Sequence, residues 1–397
     1  MIKLFKQITF SLLFGLLLFN LNSAFACSMI KVTKNGKTIV GNNEDQMNPN
    51  SRIWFEKGSF GKYGVAYVGF DNLYPQGGMN EVGLVFDGFT QSYRIVADTL
   101  GKIKISALDL EKKIMQECGT VEEVKILIEK YNIDFWVGAV MRYIDKTGKY
   151  LYVDGDSLVI GNEDIFTQTN KRPYESKECW RYNKATSILK NGFETSVNYA
   201  KSIMDSIHMD EKAVKTLYST IYDLNEGKIY LYYFSDFSTP IIYDLEYELK
   251  KDDRVLNIPE LFPDNVFGKK YLDEYNKILK MILDLGSSSD TNKMERYQNL
   301  KKSIFNSFID NYPFFYKIFH TAQYYLYEEI NYERAILLLK LNVEIYPNYY
   351  KAFDDIGEAF FADKQYQLAL KNYQRSLELY PNNSKAKSKI EEIIKLM

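Results

Sequence analysis

Histidine is almost missing from this sequence: His208 and His320 are the only two in 397 residues. A His-based metal cluster is therefore excluded, and a serine triad would have to rest on one of these two. Three cysteines, Cys27, Cys118 and Cys179, are too few for a disulfide framework and leave one over however they join. Neither sign of charge dominates, with 50 Lys+Arg against 52 Asp+Glu and a net charge of −2, so there is no footprint for nucleic acid or anionic membrane. No run reaches the roughly 18 apolar residues that a spanning helix needs. No Gly-rich phosphate loop of Walker or Rossmann type is present, no motif calls for a cofactor or metal, and nothing marks a carboxylate pair for glycan cleavage. What is plentiful is apolar surface: 46% of residues are hydrophobic, with 33 Tyr and 25 Phe. At this length that is material for two or three domains with their own cores.

The first 26 residues are unlike the rest. Lys3 and Lys6 precede an apolar run from Ile8 to Phe19, and Ala24-Phe25-Ala26 follows with the small-x-small pattern that signal peptidase reads. This predicts a secretory signal over 1–26 and an exported, periplasmic or extracellular, protein. Cleavage after Ala26 makes Cys27 the first residue. Three readings of that cysteine compete. It is a buried or disulfide-paired residue, with Cys118 or Cys179 as partner; or it is a lipidated cysteine, although Ala24 stands where a lipoprotein site usually has Leu. Or it is an N-terminal nucleophile whose own α-amine is the general base. An α-amine titrating at about 7.7–8.0 and a thiol at about 8.5 exchange a proton cheaply near neutral pH.

After Cys27, the β-rich runs Ser28 to Lys34 and Lys37 to Asp45 flank Asn35-Gly36, the signature of a hairpin with a type I′ turn. In a two-residue loop Lys34 faces Lys37, so Cys27 falls opposite Glu44 and the strand returns Asn42 to Asp45 to the cysteine. A carboxylate and amides delivered there can hold an α-ammonium and orient a thiol; a merely polar strand end is the plainer reading.

Cys27 together with Gly41-Asn42-Asn43-Glu44-Asp45 resembles the opening of the choloylglycine hydrolase and penicillin V acylase family of N-terminal nucleophile hydrolases, in which a Gly-Arg-Asn-x-Asp stretch closes the first hairpin. Gly78-Met79-Asn80-Glu81-Val82-Gly83-Leu84 resembles the family's Gly-Met-Asn-Glu-x-Gly-Leu signature, and Thr167-Gln168-Thr169-Asn170 its Thr-Asn segment. Trp180-Arg181-Tyr182 is similar to the Ser-Arg-Phe carrying the family's second Arg, and Asp223 to Tyr233 to a late strand. The likeness covers about 27 to 250 with its motifs in order. It implies Cys27 as nucleophile, Asp45 at the α-amine and thiol, Asn170 as an oxyanion donor and Arg181 near the nucleophile's carboxylate partners. Arg181 as an ordinary helix-face residue stays equally open. Asn42 stands where the family usually has Arg, and Thr90 where bile-salt hydrolases have an oxyanion Asn; both are read as oxyanion or supporting groups. The fold implied is α+β, an αββα sandwich over 27–262.

Patterning alone predicts strands at 28–43, 63–69, 82–89, 134–145, 149–154 and 228–245, and helices at 104–117, 121–131, 177–190, 195–206 and 210–221. Thr120-Val121-Glu122-Glu123 is a capping box. Tyr63, Tyr67, Phe70, Tyr74, Phe86 and Phe89 read as core, with an apolar acyl pocket as the alternative.

Beyond the breaker Leu261-Phe262-Pro263-Asp264 glycine nearly disappears, and the chain repeats itself at an offset of 34: Phe319 with Phe353, Ala335 with Ala369, Pro347 with Pro381. With Gly357, Phe360 and Tyr373 in place, 316–349 and 350–383 resemble tetratricopeptide repeats. Pro313 hints at a degenerate unit over 282–315, and a closing helix is expected at 384–396. The predicted organisation is thus an all-α repeat domain over 263–397, a scaffold or a surface for a peptide or protein partner.

The resemblance implies a hydrolase of non-peptide linear amides, with bile-salt conjugates, penicillin V and N-acyl amino acids as its substrate classes. Two alternatives stand beside it: an acyltransferase of the acyl-CoA:6-aminopenicillanic acid type, and a non-catalytic envelope lipoprotein in which the repeats act as an adaptor.

Overall fold

The Asn35-Gly36 turn sets the first pairing. Both residues have positive φ, 53° and 74°, as a type I′ turn requires, and the hairpin β1 (Ser28–Lys34) and β2 (Lys37–Gln46) pairs Lys34 with Lys37 and Ser28 with Asn43. In the computed structural model, which describes residues 27–172, 175, 179–212, 214–287 and 292–397, this hairpin is the middle of a six-stranded antiparallel sheet. The other strands of the chain are β3 (Ser51–Glu56), β4 (Val65–Phe70), β5 (Pro75–Asn80), β6 (Val85–Thr90), β7 (Ala139–Ile144), β8 (Tyr150–Asp154), β9 (Ser157–Gly161), β10 (Ile165–Thr169), β11 (Lys215–Asp223), β12 (Lys228–Tyr233), β13 (Asp236–Asp244) and β14 (Arg254–Asn257). They order as β10-β1-β2-β11-β12-β13 in the first sheet and β14-β3-β4-β5-β6-β7-β8-β9 in an eight-stranded second.

Each sheet has one face under helices. Helices α1 (Ala107–Glu117) and α2 (Val121–Ile128) bury Leu110, Ile114, Val121 and Val124 against Tyr67, Phe86, Tyr143 and Leu151 of the larger sheet. The capping box at Thr120 and Glu123 is formed. Helices α3 (Trp180–Lys190) and α4 (Val197–Ser206) bury Ala185, Leu189, Ile203 and Met204 against Ile30, Val32, Ile39 and Ile221 of the smaller sheet. The alternate residues of both sheets face each other, with Phe70 of β4 against Tyr218 of β11 at a ring separation of 6.0 Å. The layering is therefore helix, sheet, sheet, helix, and the chain as a whole is α+β.

Three readings of the pattern change. The single strand expected at 228–245 is two, β12 and β13, paired with each other across a turn at Phe234 and Ser235, whose φ values of 52° and 58° reverse the chain. The stretch expected to be helical at 210–221 is strand β11 from Lys215, paired with β2 except for a bulge at Leu217. It is buried on both faces, so its apolar residues follow no strand alternation and mimic a helix stripe. Residues 134–136 form a single 3₁₀ turn before β7, not the start of a strand. The expected signal over 1–26 lies outside the described residues.

The chain divides into two units, one ending at Lys269 and one running from Lys270 to Met397. The division falls within α5 (Val266–Ser287). The second unit is helical: α6 (Lys293–Asn306), α7 (Tyr312–Tyr327), α8 (Tyr332–Ile345), α9 (Tyr350–Ala362), α10 (Tyr366–Leu379) and α11 (Ser384–Leu396). The repeat sits on the pairs α7/α8 and α9/α10. Ala335 and Ala369 are fully buried, and a Cβ on Gly357 would come within 3.2 Å of the Tyr373 ring, so glycine sets how closely α9 and α10 pack. Asn342 Nδ2 donates to the Phe315 carbonyl at 3.0 Å, tying α8 to α7, and Asn383 Nδ2 donates to both oxygens of Asp354, tying the start of α11 to α9.

Candidate active site

The hairpin register carries Cys27 to one open end of the sandwich. Ser28 pairs with Asn43 on one side and with Thr169 on the other. One step further along both registers, Cys27 stands between Glu44 and Asn170. Strand alternation then sorts the neighbours: Cys27, Asn42 and Glu44 face the second sheet, whereas Asn43 and Asp45 face α3 and α4. Asn43 accordingly donates to the Met204 carbonyl of α4 at 2.9 Å and accepts from Ser219 Oγ at 2.7 Å.

Asp45 is anchored from below. Its Oδ2 lies 2.6 Å from Arg181 Nη1, the Arg being 5% and the Asp 0% exposed at the side chain. Thr216 Oγ donates to Oδ1 and itself accepts from the Met209 amide at 2.8 Å. Arg181 thus serves as the counter-charge of Asp45 and not as a surface residue of its helix. Burial pushes the Asp45 carboxyl up to about 7 against the pull of Arg181 and Thr216. With its side chain fixed in this way, the strand end presents the Asp45 main-chain N–H to the Cys27 sulfur.

The thiol itself is 4% exposed. Burial first, and then the carboxyls of Glu44, Asp45 and Asp87, hold it well above the ordinary thiol range; the Asp45 N–H opposes them. Glu44 is pushed up to about 8 by burial and by Asp45, and Asp87 is raised by burial and by Glu44. All three cysteines are free, so Cys118 and Cys179 do not join.

Asn170 and Thr90 meet at the rim. Asn170 Nδ2 donates to the Thr90 carbonyl at 3.1 Å, so the contact runs through the Thr90 main chain while its side chain lies at the exposed end of β6. Asn42 is 1% exposed and directs its side chain inward, beside Glu44.

The Gly-Met-Asn-Glu segment lies at the opposite end of the sandwich. Asn80 donates to the carbonyls of Met115 and Cys118 at 2.9 and 2.8 Å and accepts from the Leu84 amide at 2.9 Å, which pins the end of α1 to the β5–β6 turn. Gly83 supplies the positive φ of that turn, 85°. Tyr67 and Phe86 are core beneath α1 and α2; Phe70 and Phe89 are buried between the sheets; Tyr74 is partly exposed. Asp87 belongs to the neighbourhood of Cys27, and Thr216 and Ser219 to that of Asp45 and Asn43; none of the three stands in a motif of the sequence. For Asp87 a signal existed: a carboxylate within the apolar run Val85 to Phe89, at a position that β alternation turns inward.

No family model and no curated protein matches the chain. Among solved structures it is similar to penicillin V acylase from Agrobacterium tumefaciens, at 13% identity over 58% of this chain and 91% of that one, with a TM-score of 0.47. A mutant of the conjugated bile acid hydrolase from Clostridium perfringens matches at 18% identity over 58% of this chain and 96% of that one, TM-score 0.45. The first TPR domain of the human RPAP3 protein matches at 26% identity over 30% of this chain and 92% of that one, TM-score 0.20.

Among the described residues no helix is long and apolar enough to cross a membrane.

Proposed function

We propose that the chain is an exported cysteine amidohydrolase of the N-terminal nucleophile type, which cleaves a non-peptide linear amide of the bile-salt, penicillin V or N-acyl amino acid kind. The observation that carries this reading is the seat of Cys27: the residue directly before β1 and directly after the expected cleavage point, with the Asp45 amide on its sulfur and the Asp45–Arg181–Thr216 network fixing that amide.

In the proposed reaction, removal of 1–26 frees the α-amine of Cys27, which takes the thiol proton as sulfur attacks the amide carbonyl. A primary carboxamide has two N–H donors. One of those on Asn170 is committed to the Thr90 carbonyl, and the other is the proposed donor to the tetrahedral oxyanion formed at Cys27. Thr90 acts through its main chain as the brace of that donor. The α-ammonium then protonates the leaving amine, and water, activated by the same amine, hydrolyses the thioester. Asp45 and Arg181 are positioning residues in this scheme, and Asn42 is a supporting group on the inner face. For the helical unit we propose a peptide-binding role, supported by a cleft of about 350 Å³ lined by Tyr312, Ile345, Tyr346, Pro347, Asn348 and Tyr349.

The test has two parts. Intact-mass measurement of the purified mature chain should give an unmodified N-terminal cysteine at position 27; a lipid adduct there would overturn the hydrolase reading, because acylation destroys the base. Screening the mature chain and its Cys27→Ser variant against a panel of N-acyl amides should show turnover that the variant loses, and undiminished turnover would remove Cys27 as nucleophile.

A further inference from the structure

Two buried carboxyls beside the cysteine have no role in the reaction just described. Glu44 and Asp87 come from different sheets and are 0% and 1% exposed; strand alternation puts each on the face of its sheet that is turned toward the other sheet, Glu44 on the same face as Cys27, and each raises the Cys27 thiol. Among the described residues neither forms a salt bridge. Arg142, the cross-strand partner of Asp87 on β7, is directed elsewhere: it donates to Gln168 Oε1 at 3.0 and 2.7 Å and stacks over Tyr152 at 4.1 Å. Arg181 is taken by Asp45 on the other face of the smaller sheet.

Polar atoms on the same inner faces lack partners: Asn42 Oδ1, Asp87 Oδ1 and the Tyr218 hydroxyl are fully buried and hydrogen-bond to none of the described residues. Tyr218 pairs with Glu44 across β11 and β2, which puts it on the same face. The set is therefore rich in acceptors and has no cation. Burying carboxylates in this way is costly unless a positive group meets them; burial therefore raises both groups above the ordinary carboxyl range, and an arriving cation favours their ionised forms, the protons leaving to solvent. The α-ammonium released at Cys27 by trimming supplies one positive charge, and it must become neutral to act as base, so it does not balance two carboxyls. Among the described residues no three His, Cys, Asp or Glu side chains are placed to share a metal ion. An organic cation meets the same acceptors by hydrogen bonding, an ammonium with three donors and a guanidinium with five.

We propose that Glu44 and Asp87 form a recognition pair for an ammonium or guanidinium group carried by the amide substrate. The proposal rests on the hydrolase reading of Cys27 and, of the substrate kinds named there, favours N-acyl amino acids or other amides with a cationic acyl part over bile-salt conjugates and penicillin V. Leu73 and Tyr74, exposed on the β4–β5 turn at the same end of the sandwich, offer apolar surface to an aliphatic stem.

The experiment compares three p-nitroanilides, ε-aminohexanoyl, heptanoyl and adipoyl, on the mature chain. The cationic substrate should exceed the neutral isostere in kcat/KM by at least about tenfold, and the adipoyl anilide should be the poorest. In Asp87→Asn and in Glu44→Gln the cationic-to-neutral ratio should fall toward one. Thermal melting shows which variant is folded; if one is not, the other and the mature chain's own ratio decide. A ratio at or below one in the mature chain, or a ratio unmoved in a folded variant, overturns the proposal. Calorimetric binding of ε-aminohexanamide and heptanamide to trimmed Cys27→Ser separates the two levels of inference. No turnover of any anilide with about tenfold tighter binding of the cationic amide would sink the hydrolase reading and keep the cation site. Equal binding of the two amides would sink the cation site.

Discussion

The substitution Glu44→Gln tests the electrostatics of the site without reference to any substrate. An ordinary glutamate titrates at about 4.3, whereas Glu44 in the folded chain titrates at about 8. Below about pH 4 both the folded and unfolded states hold the proton, so stability does not depend on this group. Between those values the unfolded chain has lost the proton and the folded chain retains it, so stability falls as pH rises, by about 1.4 kcal/mol per unit. From pH 5 to pH 7 the loss assigned to Glu44 is about 3 kcal/mol. Gln keeps the shape and cannot ionise, so the stability of Glu44→Gln relative to the unsubstituted chain should rise by about that amount over the same interval. Relief of Asp87, raised partly by Glu44, acts in the same direction. The assay is urea unfolding at pH 5, 6 and 7 followed by tryptophan fluorescence. Trp54, Trp136 and Trp180 are the three tryptophans of the chain and all lie in the first unit, so the signal reports that unit alone. A stability difference that stays constant across the pH series would refute the argument and place the Glu44 carboxyl in contact with water.

Three further substitutions address the rest of the framework. Arg181→Met should destabilise the first unit by ~3–5 kcal/mol in urea unfolding at pH 8, since it strands a buried Asp45 carboxylate; a loss under 1 kcal/mol would mean that the pair is not closed to solvent. Asn170→Ala should lower kcat by about 100- to 1,000-fold with the melting temperature nearly unchanged, the outcome for a lost oxyanion donor; unaltered kcat would remove Asn170 from the reaction. Asn80→Ala, remote from Cys27, should cost on the order of 3 kcal/mol of stability by leaving the Met115 and Cys118 carbonyls unpaired, as read by urea unfolding. An unchanged unfolding midpoint would show that those carbonyls find other donors.

What the sequence determined by itself was local. The Asn35-Gly36 turn needs two residues at positive φ, and with that geometry set, side-chain alternation places Cys27 opposite Glu44 with no help from the rest of the chain. The capping box at Thr120 and the recurrence of Ala335 at Ala369 were legible for the same reason, since the interacting groups are a turn or a repeat apart. The tertiary structure decided what depends on distant segments meeting. Arg181 had two equal readings until α3 packed over the end of β2, 136 residues away in sequence, and turned the side chain onto Asp45. Asp87 became a neighbour of the cysteine only because the second sheet lies face to face with the first, and Asn80 became a brace only because α1 ends above the β5–β6 turn. Strand β11 carries a helix-like pattern because a strand buried on both faces loses its alternation, and only its pairing with β2 identifies it. Backbone geometry fixes contacts a few residues apart, whereas burial, and with it the charge state of every carboxyl around Cys27, is a property of the assembled layers.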